Sequence, residues 1–358
     1  MLMNPLPEKL QWPILFVLAA FVFGCAPRAK ESDADKTPAS AENTLTVYTF
    51  RNYDNDQHLF RLFEQRSGFK INVVKETSEA LVSRLLSEGS SSPASLVILE
   101  DVSMALRLKQ QQALQQGDFT KLGLTFPSDY LDPQNYWVGL CKWAPAFVYS
   151  TDKVNQQLIS RYGDVANPRW KGKVLVTSSS KAMNQVLVSS MLSGEGADAA
   201  TAWTTGVVAN LAQAPLADDY AIIQALAQGK GDIGILNASS LIQYQRSGNP
   251  EAFKQAEGLS VLYPVGADGK TYYNLTVAGI PAHAPKADVA TRLLEFLADQ
   301  EVQQLFAETL YEYPANPYSL PNDFLIDIGG ITEKAINFEL LGQNLEKAKS
   351  IMDAAVWK

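Results

Sequence analysis

The sequence predicts an α/β protein made of two units, each a doubly wound, mostly parallel sheet with helices on its faces. Residues 45–99 show strand and helix patterns in the order β-α-β-α-β, which is typical of such a sheet. A similar alternation recurs over residues 173–236. The chain is 46% hydrophobic and 19% charged, which is typical of a globular protein with a substantial core.

The chain begins with an apolar run from Trp12 to Gly24, preceded by Lys9 and followed at once by a polar segment. The run of about 13 residues is shorter than the roughly 20 residues of a membrane-spanning helix. The pattern is therefore typical of an export signal. Export places the remaining chain outside the cytoplasm. Its length of about 330 residues is enough for about two domains.

The segment Val22–Cys25 resembles a bacterial lipobox, in which the thiol of Cys25 is lipidated after residues 1–24 are removed. Two alternatives are an ordinary cleaved signal and an uncleaved anchor with a chance cysteine. Residues 25–43 are rich in Ala, Ser, Asp, Lys and Pro without apolar periodicity, which predicts a lipidated cysteine followed by a flexible tether.

The first unit begins with a strand pattern at residues 45–50. Asp54 or Asp56 is placed to cap a helix that Gly68 ends. Residues 69–73 alternate as a second strand, and the pattern then gives a second helix that stops at Gly89. The apolar run at residues 96–99 is expected of a strand that is covered on both faces.

The second unit begins with a strand at residues 173–177, which leads into three serines and a helix. A helix that Gly229 or Gly231 ends is followed by a short buried strand at residues 233–236. Beyond this unit, apolar periodicity predicts one long amphipathic helix from about Val289 to Phe306.

Composition excludes several classes of function. A net charge of −8 argues against nucleic acid and against a basic membrane-binding patch. If Cys25 is lipidated, Cys141 has no partner for a disulfide. Two histidines, and the absence of the common nucleophile, phosphate-loop and zinc-protease motifs, predict that the chain is not an enzyme.

Ligands of open parallel sheets bind beyond the carboxyl ends of the strands. This rule selects a set of polar residues with carboxylates on one wall and hydroxyls on the other. The set comprises Arg51, Asn52, Tyr53, Glu76, Thr77, Glu100, Asp101, Ser178, Ser179, Ser180, Asn237, Ser239 and Ser240.

Each of these residues also has a purely structural interpretation. Residues 178–180 are placed either to cap the next helix or to bind an anion at its start. Glu100 and Asp101 either face a ligand or cap the helix beginning near Ser103. Tyr53 either lines a cleft or packs at a hinge.

Several segments resemble the ferric-iron-binding solute receptors of bacterial ABC importers, in the same order and at similar spacing over nearly the whole mature chain. They are Thr46–Tyr48, Arg51–Tyr53, Ser92–Ala94, Trp137–Leu140, Asn167–Lys173, Glu312–Pro317 and Leu341–Asn344, with the closing stretch to Trp357.

The resemblance implies the type II periplasmic-binding-protein fold, with two lobes joined by crossover hinges. It places lobe 1 at 44–143 plus 276–318 and lobe 2 at 144–275 plus 319–358. It also implies a monomer that closes its lobes around a cargo and delivers it to an inner-membrane ABC permease.

The ligand positions depart from the family pattern. Members that hold Fe³⁺ directly use phenolates, a carboxylate or a histidine, and their tyrosine pair corresponds to Ser239 and Ser240 here. The other corresponding positions hold Asn52 for histidine, Met183 for a tyrosine and Trp143 for an anion-binding arginine. Tyr53 and Glu100 are therefore the remaining candidate metal ligands.

The sequence leaves three hypotheses for function. The first is ferric iron or a ferric chelate as the transported cargo, without a resident cofactor. Residues 178–180, the serine turn, and Asn237 would then hold acidic groups of the chelator. The second is a small organic solute, with Trp143, Tyr53 and Met183 supplying soft or aromatic surface and Glu100 and Asp101 favouring a cation. The third is a sensor that has lost its site.

The predicted ligand-binding set comprises Asn52, Tyr53, Glu100, Asp101, Trp143, Ser179, Ser180, Met183, Asn237, Ser239 and Ser240.

Overall fold

The computed structural model describes residues 43–51, 54–332 and 336–358, apart from the side chains of residues 54, 55 and 310. The predicted export signal, Cys25 and the tether to residue 42 lie outside the described residues, as do Asn52 and Tyr53. In the part described, no helix is both long enough and apolar enough to cross a membrane.

The first sheet has seven strands in the described residues, in the order β11-β5-β10-β3-β1-β2, with β4 paired to β10. Its strands are β1 (Thr44–Thr49), β2 (Lys70–Lys75), β3 (Leu96–Leu99), β4 (Leu114–Gln115), β5 (Trp137–Trp143), β10 (Asn274–Pro281) and β11 (Tyr313–Pro314). The second sheet has the order β7-β8-β6-β9. Its strands are β6 (Pro145–Ser150), β7 (Val174–Leu175), β8 (Ile233–Asn237) and β9 (Leu259–Leu262).

Helices accompany both sheets. The first six in chain order are α1 (Asp54–Ser67), α2 (Ser78–Glu88), α3 (Val102–Gln110), α4 (Ala182–Glu195), α5 (Ala197–Ala209) and α6 (Asp219–Ala227). The later ones are α7 (Ala238–Gln245), α8 (Pro250–Ala256), α9 (Ala287–Ala298), α10 (Gln300–Leu310), α11 (Asp323–Asp327), α12 (Phe338–Gln343) and α13 (Leu345–Ala354).

The predicted α/β class is confirmed, but the strand directions are more mixed than expected. β1 pairs in parallel with β2 and β3, and β7 pairs in parallel with β8. The long strand β10 runs antiparallel to both β3 and β5, and β6 runs antiparallel to β8 and β9. These antiparallel strands carry the chain between the sheets, from β5 to β6 and back from β9 to β10. The predicted lobe boundaries stay a prediction.

Strand β6 of the second sheet has a mostly apolar sequence because it is buried on both faces. All six of its residues are buried. Phe147 and Tyr149 belong to an apolar cluster on one face, whereas Ala146 and Val148 belong to a cluster on the other. Helices therefore cover both faces, as expected for strands without polar alternation.

Helix α6 approaches the second sheet closely because Gly234 in β8 has no side chain. A β-carbon at Gly234 would lie 2.5 Å from the Ile222 side chain of α6. At the other end of β8, the Asn237 N–H donates to Asp219 Oδ2 at 3.1 Å, which holds the start of α6 beside the end of this strand.

The predicted single helix from Val289 to Phe306 is wrong, because two helices occupy this region. Asp299 is extended, with φ −60° and ψ 143°, and interrupts the helical hydrogen bonding. Its carboxylate accepts the backbone N–H of Glu301 at 3.0 Å. An apolar stripe cannot reveal this break, because the stripe continues through both helices.

We expect Asp299→Ala to lower the free energy of unfolding by about 1 kcal/mol, because it removes a helix N-cap. Asp299→Asn retains an acceptor and should lose clearly less. Urea denaturation of both variants measures the difference. Equal losses would show that the cap at this position does not stabilise α10.

Candidate functional site

A cavity of about 410 Å³ lies between the two sheets, where β1, β3 and β8 end. Residues of both sheets and of the adjoining helices line it. They are Phe50, Glu100, Trp143, Thr177, Lys181, Met183, Asp218, Asp219, Tyr220, Asn237, Ser239, Ser240, Gln243, Thr276 and Glu312. The cavity therefore lies at the strand ends where the rule predicts a ligand site, and its role as that site stays a prediction.

The structure brings part of the predicted ligand set together in this cavity. Glu100, Trp143, Met183, Asn237, Ser239 and Ser240 all line it. Asn52 and Tyr53 lie outside the described residues, and their roles stay predictions. Asp101, Ser179 and Ser180 are described but are not among the lining residues.

Asp101 is a helix cap. Its side chain is fully buried, and its Oδ1 accepts the backbone N–H groups of Ser103 at 2.7 Å and Met104 at 3.3 Å. Burial raises its pKa. The capping alternative considered for Glu100 and Asp101 thus applies to Asp101, while Glu100 faces the cavity.

The serine turn, residues 178–180, is held by hydrogen bonds within the protein. The amide of Asn184 donates to the carbonyls of Thr177 and Ser178, both at 3.0 Å. The Ser180 N–H donates to the Ser178 hydroxyl at 3.2 Å, and Ser180 is exposed. The following residue, Lys181, lines the cavity instead, so this wall offers an ammonium group where hydroxyls were predicted.

Asn237, Ser239 and Ser240 fasten the β8–α7 junction. The Asn237 side chain accepts the N–H and the hydroxyl of Ser239, both at 3.2 Å. The Ser240 hydroxyl donates to Asp219 Oδ2 at 2.7 Å, and the Asn237 N–H donates to the same oxygen at 3.1 Å. Both serine hydroxyls therefore already have acceptors within the protein.

Trp143 links the first sheet to the rim of the cavity. Its indole N–H donates to the Glu100 carbonyl at 2.9 Å, and its side chain is only 5% exposed. The indole thereby fixes the backbone that carries the Glu100 carboxyl group.

The cavity is strongly acidic. Burial, Asp101 and Asp219 raise the pKa of Glu100 to about 7, while Lys181 opposes this rise. Burial also raises the pKa of Asp219. Since Glu100 belongs to the first sheet and Asp219 to the wall beside the second, carboxyl groups from both sides repel one another across the cavity. A bound cation would relieve that repulsion.

Glu312 adds a carboxylate fixed by a buried ion pair. The Arg51 guanidinium lies 3.5 Å from Glu312 Oε2 and 2.8 Å from Asp56 Oδ2. The Cys141 thiol donates to Glu312 Oε2 at 2.7 Å. All of these residues are buried, so the Glu312 carboxylate is held rigidly at the cavity wall.

Sequence reasoning missed Lys181, Asp218, Asp219, Tyr220 and Glu312. Residues 211–216 join the edge of the second sheet by isolated parallel bridges, and the Leu216 N–H donates to the Val176 carbonyl at 2.8 Å. Asp218 and Asp219 therefore also follow a strand-like segment at the edge that borders the cavity, although its sequence shows no strand pattern. Among the described residues, no group of three or more His, Cys, Asp or Glu is placed to hold a metal ion.

Residues 59–328 match the family model of bacterial extracellular solute-binding proteins. Iron uptake protein A1 of Synechocystis is 30% identical over 335 residues, covering 94% of this chain and 92% of that protein. Iron uptake protein A2 of the same organism is 32% identical over 323 residues, covering 89% and 92%.

Solved structures give the same result. A Trichodesmium protein, FutA or IdiA in complex with iron and citrate, superposes with a TM-score of 0.82 at 31% identity, covering 88% of this chain and all of that one. Apo FutA2 of Synechocystis gives 0.80 at 31% identity, covering 88% and 99%. The chain belongs to the family of bacterial extracellular solute-binding proteins, and its resemblance to the ferric-iron-binding members is confirmed.

Proposed function

We propose that this chain is an exported, lipid-anchored substrate-binding protein that captures ferric iron between two closing lobes and delivers it to an ABC importer. Lys181 is placed to meet one acidic group of an anion that accompanies the ion. The observation that carries this proposal is the acidic cavity, to which both sheets contribute carboxyl groups. The similarity to proteins named for iron uptake supports the choice of iron.

The charge of the cavity favours the ion over a highly anionic chelate. Glu100, Asp218, Asp219 and Glu312 line it together with the ammonium group of Lys181, and the Arg51 guanidinium lies 3.5 Å from Glu312, so carboxyl groups still outnumber cations. A trivalent cation prefers anionic oxygen and gains most from this arrangement. A complex with several free carboxylates would meet repulsion from the same groups.

An organic cation is the second candidate. Trp143 and Tyr220 supply aromatic surface beside the carboxyl groups, a combination that suits an amine. Such a ligand needs no set of metal-binding side chains.

Titration of the tryptophan fluorescence tests the proposal, because Trp143 lies in the cavity. We expect saturable quenching by ferric nitrilotriacetate, a weaker response to ferric citrate, and none to spermidine. Saturation by spermidine alone would support the organic cation. A chain that responds to none of the three would not be a receptor for either class.

Binding of ferric iron should weaken as the pH falls. The pKa of Glu100 is about 7 in the empty protein, and a bound cation favours its ionised form. Lowering the pH protonates Glu100 and removes a negative charge, so affinity should fall by about tenfold between pH 8 and pH 6. Isothermal titration at several pH values measures this change.

Glu100→Gln serves as the control for this pH dependence, since it has no proton to lose at that position. The ratio of wild-type to variant affinity cancels the pH dependence of the chelator. A ratio that stays constant from pH 6 to pH 8 would exclude Glu100 as the titrating group.

A further inference from the structure

We propose that Tyr220, at the start of α6, binds the ferric ion directly through its phenol oxygen. This inference rests on the proposed function and names a ligand that the sequence patterns did not single out. Three features of the described residues support it.

The first feature is that the β8–α7 junction uses its own hydroxyl groups for structure. Ser239 donates to Asn237 and Ser240 donates to Asp219. Serine hydroxyls ionise far less readily than phenols, and these two protons are already shared with protein acceptors. A strong oxygen donor on this side of the cavity would therefore come from another element.

The second feature is the position of Tyr220. Asp219, the residue before it, accepts both Asn237 N–H and the Ser240 hydroxyl, which fastens the start of α6 to the junction. The Tyr220 ring packs edge-on against Tyr244 of α7, with ring centroids 5.1 Å apart. The side chain is 41% exposed and lines the cavity, so it is held in place yet open to cargo.

The third feature is the charge around the phenol. Asp218 and Asp219, the two residues before Tyr220, line the same cavity. The same carboxylates attract a trivalent cation. When the ion arrives, the O–H bond breaks, an oxygen–iron bond forms, and the proton passes to solvent.

Tyr220→Phe tests this assignment because it removes only the hydroxyl group. Wild-type protein loaded with ferric nitrilotriacetate should show a visible phenolate-to-iron absorption band. We expect Tyr220→Phe to lose or clearly shift this band and to bind iron at least tenfold more weakly. Tyr318→Phe is the matched control, since Tyr318 is 65% exposed and does not line the cavity.

The thermal midpoint of each variant is measured alongside, and an unchanged midpoint shows that the fold is intact. Tyr53→Phe is titrated in parallel because Tyr53 is the other candidate phenol. If Tyr220→Phe keeps the band and the affinity of the wild type, Tyr220 is not a ligand although the proposed function stands. If the wild type binds iron without a band, phenolate ligation is excluded. If the wild type binds no iron, the proposed function itself is wrong.

Discussion

Replacing Arg51 by methionine is expected to lower the free energy of unfolding by about 3–5 kcal/mol, because it breaks a buried ion pair from one side. The Arg51 side chain is 1% exposed and forms two hydrogen bonds to Asp56, at 2.8 and 3.2 Å. It also lies 3.5 Å from Glu312, and its guanidinium stacks over Phe306 at 4.9 Å. The variant would leave two carboxyl groups buried without their cation.

Chemical denaturation of Arg51→Met measures this loss. Arg61→Met on the exposed face of α1 is the control, and its stability should change by no more than about 0.5 kcal/mol. If Arg51→Met loses less than about 1 kcal/mol, the buried cluster of Arg51, Asp56 and Glu312 does not stabilise the first sheet as described.

Glu100→Gln is expected to weaken ferric binding at least about 30-fold, or about 2 kcal/mol, because it removes one charge of a partly buried ion pair with the cargo. The residue sits directly after β3, and its backbone is fixed by the Trp143 indole and by the Ser78 hydroxyl, which accepts the Glu100 N–H at 2.9 Å. Another carboxyl group could therefore take the position of the Glu100 carboxyl group only if the end of β3 moved.

Isothermal titration with ferric nitrilotriacetate at pH 8 measures the effect, since Glu100 is then largely ionised. Glu346→Gln removes the same charge from an exposed position on α13 and should bind like the wild type. An affinity of Glu100→Gln within threefold of the wild type would place the cargo elsewhere.

The fold could be predicted where local pattern and tertiary structure agree. The run Leu96–Leu99 is a strand with all four residues buried. The helix predicted to stop at Gly89 spans Ser78–Glu88. Strand β10 was not predicted, although all eight of its residues are buried. Its second half contains Gly279 and ends at Pro281, and both residue types are depleted in strands, so the sequence pattern there does not identify a strand.

The site could be predicted only as far as strand ends reveal it. Glu100 and Asn237 follow strands whose patterns are clear, and both line the cavity. Glu312 also lines the cavity, but it precedes the short strand β11, which runs antiparallel to β5. The rule for the ends of parallel strands does not apply there. Ser179 and Ser180 satisfy the rule, yet the turn presents Lys181 to the cavity, since side-chain direction depends on bonds that Asn184 makes.

Anomalous scattering from crystals of iron-loaded protein would show whether ferric iron binds between the two sheets. Data collected at the iron absorption edge should give one strong peak inside the cavity, within bonding distance of Glu100 on one wall and of Tyr220 or Asp219 on the other. A peak outside the cavity, or a fully loaded protein with no peak between the two sheets, would show that the cavity is not the iron site.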